Sequence, residues 1–270
     1  MAAAEQIRLV LLGSGGCGMT LLAVCGDAST TTAYALAALW PHPDVLLVEA
    51  DGSGGDLAAW LDIPEQPGVA TAVTMAPTGS WPVIEAQVQR HGSLSVLPLP
   101  LRAGEASVAT REAAVRLLPT LSALAGLTAI ADCGFCHPSA LSPAVTQAAL
   151  VVVTIRQPST SPRAAAAHLD RVGELVDALG SRALPTVAVV IGEEPYRASE
   201  ISDFLGGSAG VLPVLVVADD AIGAAVVAGR ERVGRGFSRS HLAKTAGVAA
   251  IELAVRLESM GSVDVEAVGR

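Results

Sequence analysis

The sequence predicts an α/β fold: a doubly wound, mostly parallel sheet of seven or eight strands with helices on both faces. Short runs rich in Val, Ile and Leu alternate along the chain with Ala- and Leu-rich segments of helical spacing, which is the pattern of βαβ units. Apolar residues make up 51% of the 270 residues, whereas aromatic residues make up only 3%. Continuous aliphatic runs of this kind suit strands that helices cover on both faces.

Eight runs have the length and composition of strands: residues 7–12, 21–25, 45–50, 94–97, 127–131, 151–155, 185–191 and 211–217. Four segments between or after them have the apolar spacing of long helices: residues 31–40, 105–124, 162–179 and 241–260. No repeat, linker or low-complexity stretch separates these elements. We therefore expect one domain over residues 1–260, followed by a polar C-terminal tail over residues 261–270.

Charge and hydropathy narrow the functional class. The net charge of −9 argues against a strong non-specific nucleic-acid binder, because contacts with phosphates need a basic face. Mean hydropathy is high, at +0.51, but the most apolar stretch contains Asp219 and Asp220, and paired carboxylates are costly in lipid. We expect a cytoplasmic protein without membrane insertion, in which the four cysteines are reduced.

Two glycine-containing turns follow predicted strands, where doubly wound folds bind phosphates. The first, over residues 13–20, reads G-S-G-G-C-G-M-T and fits G-x-x-x-x-G-K-[ST], except that Met19 stands in place of the lysine. Only residues 21–24 separate it from the next turn. Its context therefore favours a simple connection between two strands over a phosphate loop.

The second turn, over residues 25–32, reads C-G-D-A-S-T-T-T and lies between a predicted strand and a predicted helix. The next strand ends in the acidic run E-A-D-G-S-G-G-D-L from Glu49. Hydroxyl side chains at the start of a helix suit phosphate or magnesium binding, although Ser and Thr are also ordinary helix caps. A capping role alone stays an alternative for this run.

This order of strand, loop, helix, strand and acid-x-acid pair resembles the first unit of the MinD/ParA ATPases, whose loop reads like K-G-G-x-G-K-T-T. The resemblance continues through A-D-C-G at residues 131–134 and extends from about residue 21 to residue 257. It implies a P-loop NTPase-like fold and a site for ATP and Mg²⁺. It also implies protein partners and a homodimer or higher oligomer.

The resemblance implies roles for individual residues. The residues that would contact the nucleotide are Gly26, Ser29, Thr30, Thr31, Thr32, Gly192 and Pro213. Asp51 would be the catalytic residue, because it matches the acid that positions water. Thr31 (or its neighbour Thr32), Asp51 and Asp132 would bind magnesium, Asp132 through a water molecule.

The second turn departs from this family in its charge. Cys25 and Ser29 stand near the positions of the two lysines of the family's loop, and Asp27 adds a carboxylate beside the expected triphosphate. The chain has a single lysine, Lys244. Losing two charge-assisted hydrogen bonds of about 1.5–3 kcal/mol each would weaken binding ~100-fold or more.

We therefore favour a MinD/ParA-like protein with impaired or absent ATPase activity, acting as a scaffold or regulator in the positioning, partition or assembly of a cellular machine. Two alternatives stay open. One is an active ATPase that cycles between a monomer and an ATP-bound dimer. The other is a purely structural, oligomerising subunit.

Two further groups of residues carry alternatives. Cys133, Cys136 and His137 form C-x-x-C-H, the haem-attachment pattern, but haem attachment needs export, so packing is the interpretation we favour. Together with Cys25 they would also make four zinc ligands.

A basic cluster consists of Arg230, Arg232, Arg235, Arg239 and Lys244. It is interpreted as a solvated face, with contact to DNA or to an acidic partner as the alternative. The helix after it carries Glu252 and Glu258, so we expect no membrane targeting through that helix.

Overall fold

The structure, a computed structural model, describes residues 20–124, 126–158, 161–206, 212–230 and 237–268. Its centre is an eight-stranded sheet in the order β3-β4-β2-β5-β1-β6-β7-β8. The strands are β1 Thr20–Gly26, β2 Val45–Glu49, β3 Gln89–His91, β4 Leu94–Leu97, β5 Thr128–Asp132, β6 Leu150–Arg156, β7 Thr186–Ile191 and β8 Val214–Val217. Only the β3–β4 pairing is antiparallel in the described sheet. The predicted fold class is confirmed.

The helices connect these strands and cover both faces of the sheet. They are α1 Ser29–Ala38, α2 Leu57–Trp60, α3 Val69–Met75, α4 Trp81–Glu85, α5 Ala103–Arg116, α6 Leu118–Ser122, α7 Pro143–Gln147, α8 Pro162–Gly180, α9 Ala198–Gly206, α10 Ala221–Val227 and α11 His241–Val268. A 3₁₀ turn, Phe237–Arg239, precedes α11.

Alternate side chains of each central strand point to opposite faces, as the period of two in a strand requires. On β1, Leu21, Ala23 and Cys25 join a core that also contains the buried residues of α5 and α8. Leu22 and Val24 join a second core, which contains α1 and α11. The sheet is therefore the middle of three layers, and its central strands are apolar because both of their faces are buried.

Several elements differ from the sequence-based expectation. The predicted helix over residues 105–124 is two helices, α5 and α6, because Pro119 in the first turn of α6 has no N–H group to continue a helical ladder. The short strand β3 was not predicted. Helix α11 runs to Val268, into the segment expected to be a polar tail. The predicted strand 7–12 and residues 13–19 of the first glycine-rich turn lie outside the described residues.

The topology places one crevice at the carboxyl ends of β1 and β6. These strands are neighbours, but the helices that follow them, α1 and α8, pack on opposite faces of the sheet. In open α/β sheets, ligands bind outside the carboxyl ends of the strands at such a switch point.

No helix in the described ranges is both long enough and apolar enough to span a bilayer.

Candidate functional site

A two-residue turn, Asp27 and Ala28, is all that separates β1 from α1. It is held closely: Gly26 N–H donates to the Gly134 carbonyl at 2.9 Å, and Asp27 N–H donates to the Thr154 carbonyl at 3.0 Å. Gly26 has φ +110°, and a Cβ atom there would collide with the Thr154 carbonyl, so the position requires glycine. The turn is therefore held tightly against the ends of β5 and β6.

The Asp27 carboxylate is bonded to β6 and α8. Its Oδ2 accepts a hydrogen bond from Arg156 N–H at 3.0 Å and lies 2.7 Å from His168 Nε2. Because these contacts hold the carboxylate, Asp27 links the turn to α8. These two contacts are the ones that the Asp27 carboxylate makes within the described residues.

Helix α1 begins without a side-chain cap, because its N-cap residue is Ala28. The first-turn N–H groups therefore have no side-chain acceptor on the N-cap residue, and they carry the positive end of the helix dipole. The four hydroxyl residues 29–32 lie in two different environments. The side chains of Ser29 and Thr30 lie near enough to Asp132 to lower the pKa of its carboxyl group, whereas Thr31 and Thr32 line a cavity on the other side.

Asp132, at the carboxyl end of β5, is buried. Burial raises its pKa, while hydrogen bonds from the Thr30 and Ser29 side chains and from Gly134 N–H oppose the rise. The charge of Asp51 adds to the rise, so the two carboxyl groups are electrostatically coupled. The structure therefore brings Asp51 and Asp132 together, and the hydroxyls beside Asp132 are those of Ser29 and Thr30 rather than the predicted Thr31.

Asp51 lies in the loop after β2, where its Oδ1 accepts a hydrogen bond from Ser53 N–H at 2.8 Å. Its carboxylate packs against Gly134, which has φ +63° and at which a Cβ atom would collide with Asp51. Mg²⁺ is usually bound by one or two carboxylates together with waters and substrate phosphates. Two carboxylates with adjacent hydroxyls fit a magnesium ion that arrives with a nucleotide.

Glu49, the last residue of β2, accepts hydrogen bonds from the loop that carries Asp51 and from a neighbouring segment. Its Oε1 accepts hydrogen bonds from the N–H groups of Asp56 at 2.6 Å and Leu57 at 2.7 Å, and its Oε2 accepts one from Leu99 N–H at 2.7 Å. Burial raises the pKa of Glu49 to about 7, although these three hydrogen bonds lower it. Glu49 therefore fixes the loop that carries Asp51.

The cysteines do not form the zinc site that their spacing allows. Cys25, Cys133 and Cys136 are buried thiols, and a hydrogen bond between Cys25 and Cys136 raises the pKa of the first and lowers that of the second. His137 is exposed and hydrogen-bonds Ser139 at 2.8 Å. Across the described ranges, no group of three or more His, Cys, Asp or Glu side chains could bind a metal ion.

The remaining predicted residues are divided between the two edges of the sheet. Gly192 follows β7 at the carboxyl edge, where its N–H donates to the Val217 carbonyl at 2.9 Å. Pro213 precedes β8, at the amino edge, and accepts from Ala188 N–H. The length of β8 separates Pro213 from the carboxyl edge of the sheet, so the structure does not bring Pro213 together with the other predicted residues. In the basic cluster, Arg232 and Arg235 lie outside the described residues.

A cavity of about 270 Å³ adjoins the turn on the side of β7 and β8. Its polar and charged lining consists of Thr31, Thr32, Arg156, Asp219, Asp220 and Arg230. The cations at this edge are thus arginines outside the turn. The sequence analysis gave neither Arg156 nor Glu49 a role in the site, although Arg156 directly follows the predicted strand 151–155 and Glu49 begins the acidic run at the end of β2.

Comparison with known proteins relates this geometry to solved structures. No protein-family model matches the sequence, and no curated protein matches it. A ParA family ATPase from Chlorobium tepidum TLS is 18% identical with a TM-score of 0.66, over 87% of this chain and 97% of that chain. The septum site-determining protein MinD complexed with Mg-ADP, from Pyrococcus horikoshii OT3, is 13% identical with a TM-score of 0.65, over 87% and 96%.

The MinC:MinD cell division protein complex of Aquifex aeolicus also matches, at 15% identity and a TM-score of 0.57, over 86% of this chain and 94% of that chain. Identities this low describe a shared architecture. The chain has the fold of the MinD and ParA ATPases.

Proposed function

We propose that this chain is a MinD/ParA-like cytoplasmic protein with impaired or absent ATPase activity, which acts as a scaffold or regulator in positioning, partition or assembly of a cellular machine. One observation carries the proposal: the turn that enters α1 is two residues long and contains no cation. Stabilisation of charge on the transferred phosphoryl group is the main task of such a site. Without a lysine in the turn, hydrolysis is slow or absent.

Weak nucleotide binding is part of the same proposal. The uncapped first turn of α1 favours an anion, and the carboxyl groups of Asp51 and Asp132 with the hydroxyls of Ser29 and Thr30 suit magnesium. The MinD structure from Pyrococcus horikoshii contains Mg-ADP. ATP with Mg²⁺ is therefore the ligand to test first.

Protein partners and self-association complete the proposal. The MinD of Aquifex aeolicus occurs in a complex with MinC, and we extend the idea of a protein partner to this chain. The partner and the machine it belongs to are left open by the fold, because function depends on the site and its surroundings rather than on architecture.

The test combines isothermal titration with ATP and Mg²⁺ and a phosphate-release assay on the purified chain. We expect weak binding and no release above background, with Asp51→Ala as the site variant and the exposed Asp203→Ala as its matched control. Turnover comparable to that of an active MinD protein, abolished by Asp51→Ala and retained in Asp203→Ala, would refute the proposal.

An active ATPase is the second candidate, and one observation favours it. Asp51 and Asp132 are both present at the carboxyl ends of adjacent strands and interact electrostatically. These are the positions that the resemblance gives to the acid that positions water and to the acid that binds magnesium. The outcome of the phosphate-release assay distinguishes the two candidates.

A further inference from the structure

The cavity between α1 and α10 contains an ion pair that could exchange partners. Arg156 ends β6, and its side chain passes across β7 to Asp219, which follows β8. Its Nη2 lies 2.9 Å from Asp219 Oδ1 and 3.2 Å from Oδ2. Both side chains are about half exposed, at 54% and 48%. Exposed ion pairs of this kind contribute little to stability, so the cost of separating them is small.

The rest of Arg156 is held in place. Its main-chain N–H donates to Asp27 Oδ2 at 3.0 Å, and the same carboxylate oxygen contacts His168. The backbone at the mouth of the cavity is thus anchored to the turn before α1, while the guanidinium group has Asp219 as its partner. The side chain can therefore change partner without a shift of the strand.

The two aspartates of the cavity differ in how firmly they are bound. Asp220 caps α10: its Oδ1 accepts from Ile222 N–H and Gly223 N–H, and its Oδ2 accepts from Leu242 N–H. The carboxylate of Asp219 bonds only Arg156 within the described part of the chain. Asp219 is therefore the one that can give up its partner.

We propose that Arg156 is the phosphate-binding cation of this site, held by Asp219 when the site is empty and transferred to a phosphate group of the nucleotide when it is filled. The inference rests on the proposed function, because it assumes that a nucleoside phosphate binds at this edge. A guanidinium group bonds phosphate oxygens in pairs. Thr31 and Thr32 line the same cavity.

Titration calorimetry on Arg156→Gln, Asp219→Asn and the double variant tests the exchange, with ATP–Mg²⁺, pyrophosphate and adenosine as probes. We expect Arg156→Gln to weaken binding of ATP and pyrophosphate about 10- to 100-fold, as the loss of one charge-assisted contact does. Asp219→Asn should strengthen both about 3- to 10-fold, since the competing carboxylate is gone. Adenosine, which has no phosphate, should not respond to Arg156→Gln. Arg171→Gln, an exposed arginine on α8, is the matched control and should bind like the unaltered chain.

The double variant separates exchange from simple repulsion. If Asp219 competes for Arg156, its substitution gains affinity mainly when Arg156 is present. An equal gain with and without Arg156 would mean that Asp219 only repels the phosphate, and the proposal would fail. It would also fail if Arg156→Gln left ATP affinity unchanged, if it weakened adenosine equally, or if none of the three probes bound any variant. If Arg156→Gln does not fold, Arg156→Lys replaces it in the experiment, because an ammonium group cannot make the paired hydrogen bonds of a guanidinium group.

Failure here is distinct from failure of the proposed function. Phosphate release by the unaltered chain decides whether ATPase activity is impaired. The order of affinities among the variants decides whether Arg156 binds the phosphate. Rapid hydrolysis with an unchanged affinity order would remove the first proposal and leave the second.

Discussion

The contribution of Glu49 to the free energy of unfolding should decrease as the pH rises. Its folded pKa of about 7 lies above the ordinary value of 4.5, so the folded chain binds a proton more tightly than the unfolded chain does. Stability attributed to Glu49 is therefore full below about pH 4.5 and is lost as the pH rises towards about 7. Between about pH 5.5 and about pH 8 the loss is about 2 kcal/mol.

Urea unfolding of Glu49→Gln at these two pH values measures that loss. The free energy of unfolding should fall less between them in the variant than in the unaltered chain, by about 2 kcal/mol. Glu174→Gln, on the exposed side of α8, is the control and should keep the full decrease. An unchanged decrease in Glu49→Gln would mean that Glu49 titrates near its ordinary pKa in the folded chain.

Gly134 is the second residue with a specific prediction, because it combines a left-handed backbone with contact to Asp51. Gly92 has a similar φ, +59°, but no atom lies within 4 Å of the place that a Cβ atom would take there. Gly92→Ala should cost about 1 kcal/mol for the backbone alone. Gly134→Ala should cost about 1 kcal/mol more, since Asp51 must give up its bond to Ser53. Equal losses in urea unfolding would contradict a fixed Asp51 carboxylate.

At the residue scale, the sequence predicted which acidic side chains would lie together at one edge of the sheet, while their roles stay predictions. Asp51 and Asp132 follow buried strands, and parallel strands bring their carboxyl ends to one edge. The hydroxyl run was found as a whole, but which hydroxyl lies beside Asp132 depends on where α1 begins. Helix boundaries follow from the geometry of the cap, and Ala28 gives no sequence indication of it.

The connection between the turn and α8 is the clearest relation between elements. Asp27 and His168 are 141 residues apart in sequence, so the contact was not accessible to local patterns. His168 is mostly buried, with 13% of its side chain exposed. Asp27→Ala leaves that imidazole and the Arg156 N–H group without their acceptor. We expect the free energy of unfolding to fall by about 1–2 kcal/mol.

Chemical denaturation checks this value against Asp170→Ala, which removes an exposed carboxylate from the same helix. A surface substitution of this kind usually changes stability by less than about 0.5 kcal/mol. If the two variants lost equal stability, the contact between the turn and α8 would be no stronger than a solvated surface pair.

At the scale of the elements, buried strands were predicted from the sequence more accurately than exposed ones. Strands that are buried on both faces, such as β1 and β6, are continuous aliphatic runs and were located from the sequence to within one or two residues. The edge strand β3 consists of Gln89, Arg90 and His91 and has no apolar pattern, so it was missed. Pro213 lies at the opposite end of its strand from the carboxyl edge, and a sequence does not show the direction from which a ligand approaches a strand.

At the scale of the whole molecule, the fold and the charge of the site point in different directions. The architecture is shared with the ParA and MinD ATPases, whereas the turn that enters α1 contains no lysine. If ATP is bound weakly and without a cation from the turn, it cannot drive subunit association strongly. We expect light scattering to give the same mass with and without ATP–Mg²⁺, whatever that mass is. A dimer that forms only with ATP would favour the active ATPase.

The most direct measurement of the central claim is single-turnover hydrolysis, with the protein in large excess over labelled ATP and with Mg²⁺. Excess protein compensates for weak binding, so the assay reports the chemical step alone. We predict that labelled phosphate appears no faster than in buffer and that Asp51→Ala changes nothing. Release well above the buffer rate, lost in Asp51→Ala, would contradict the account.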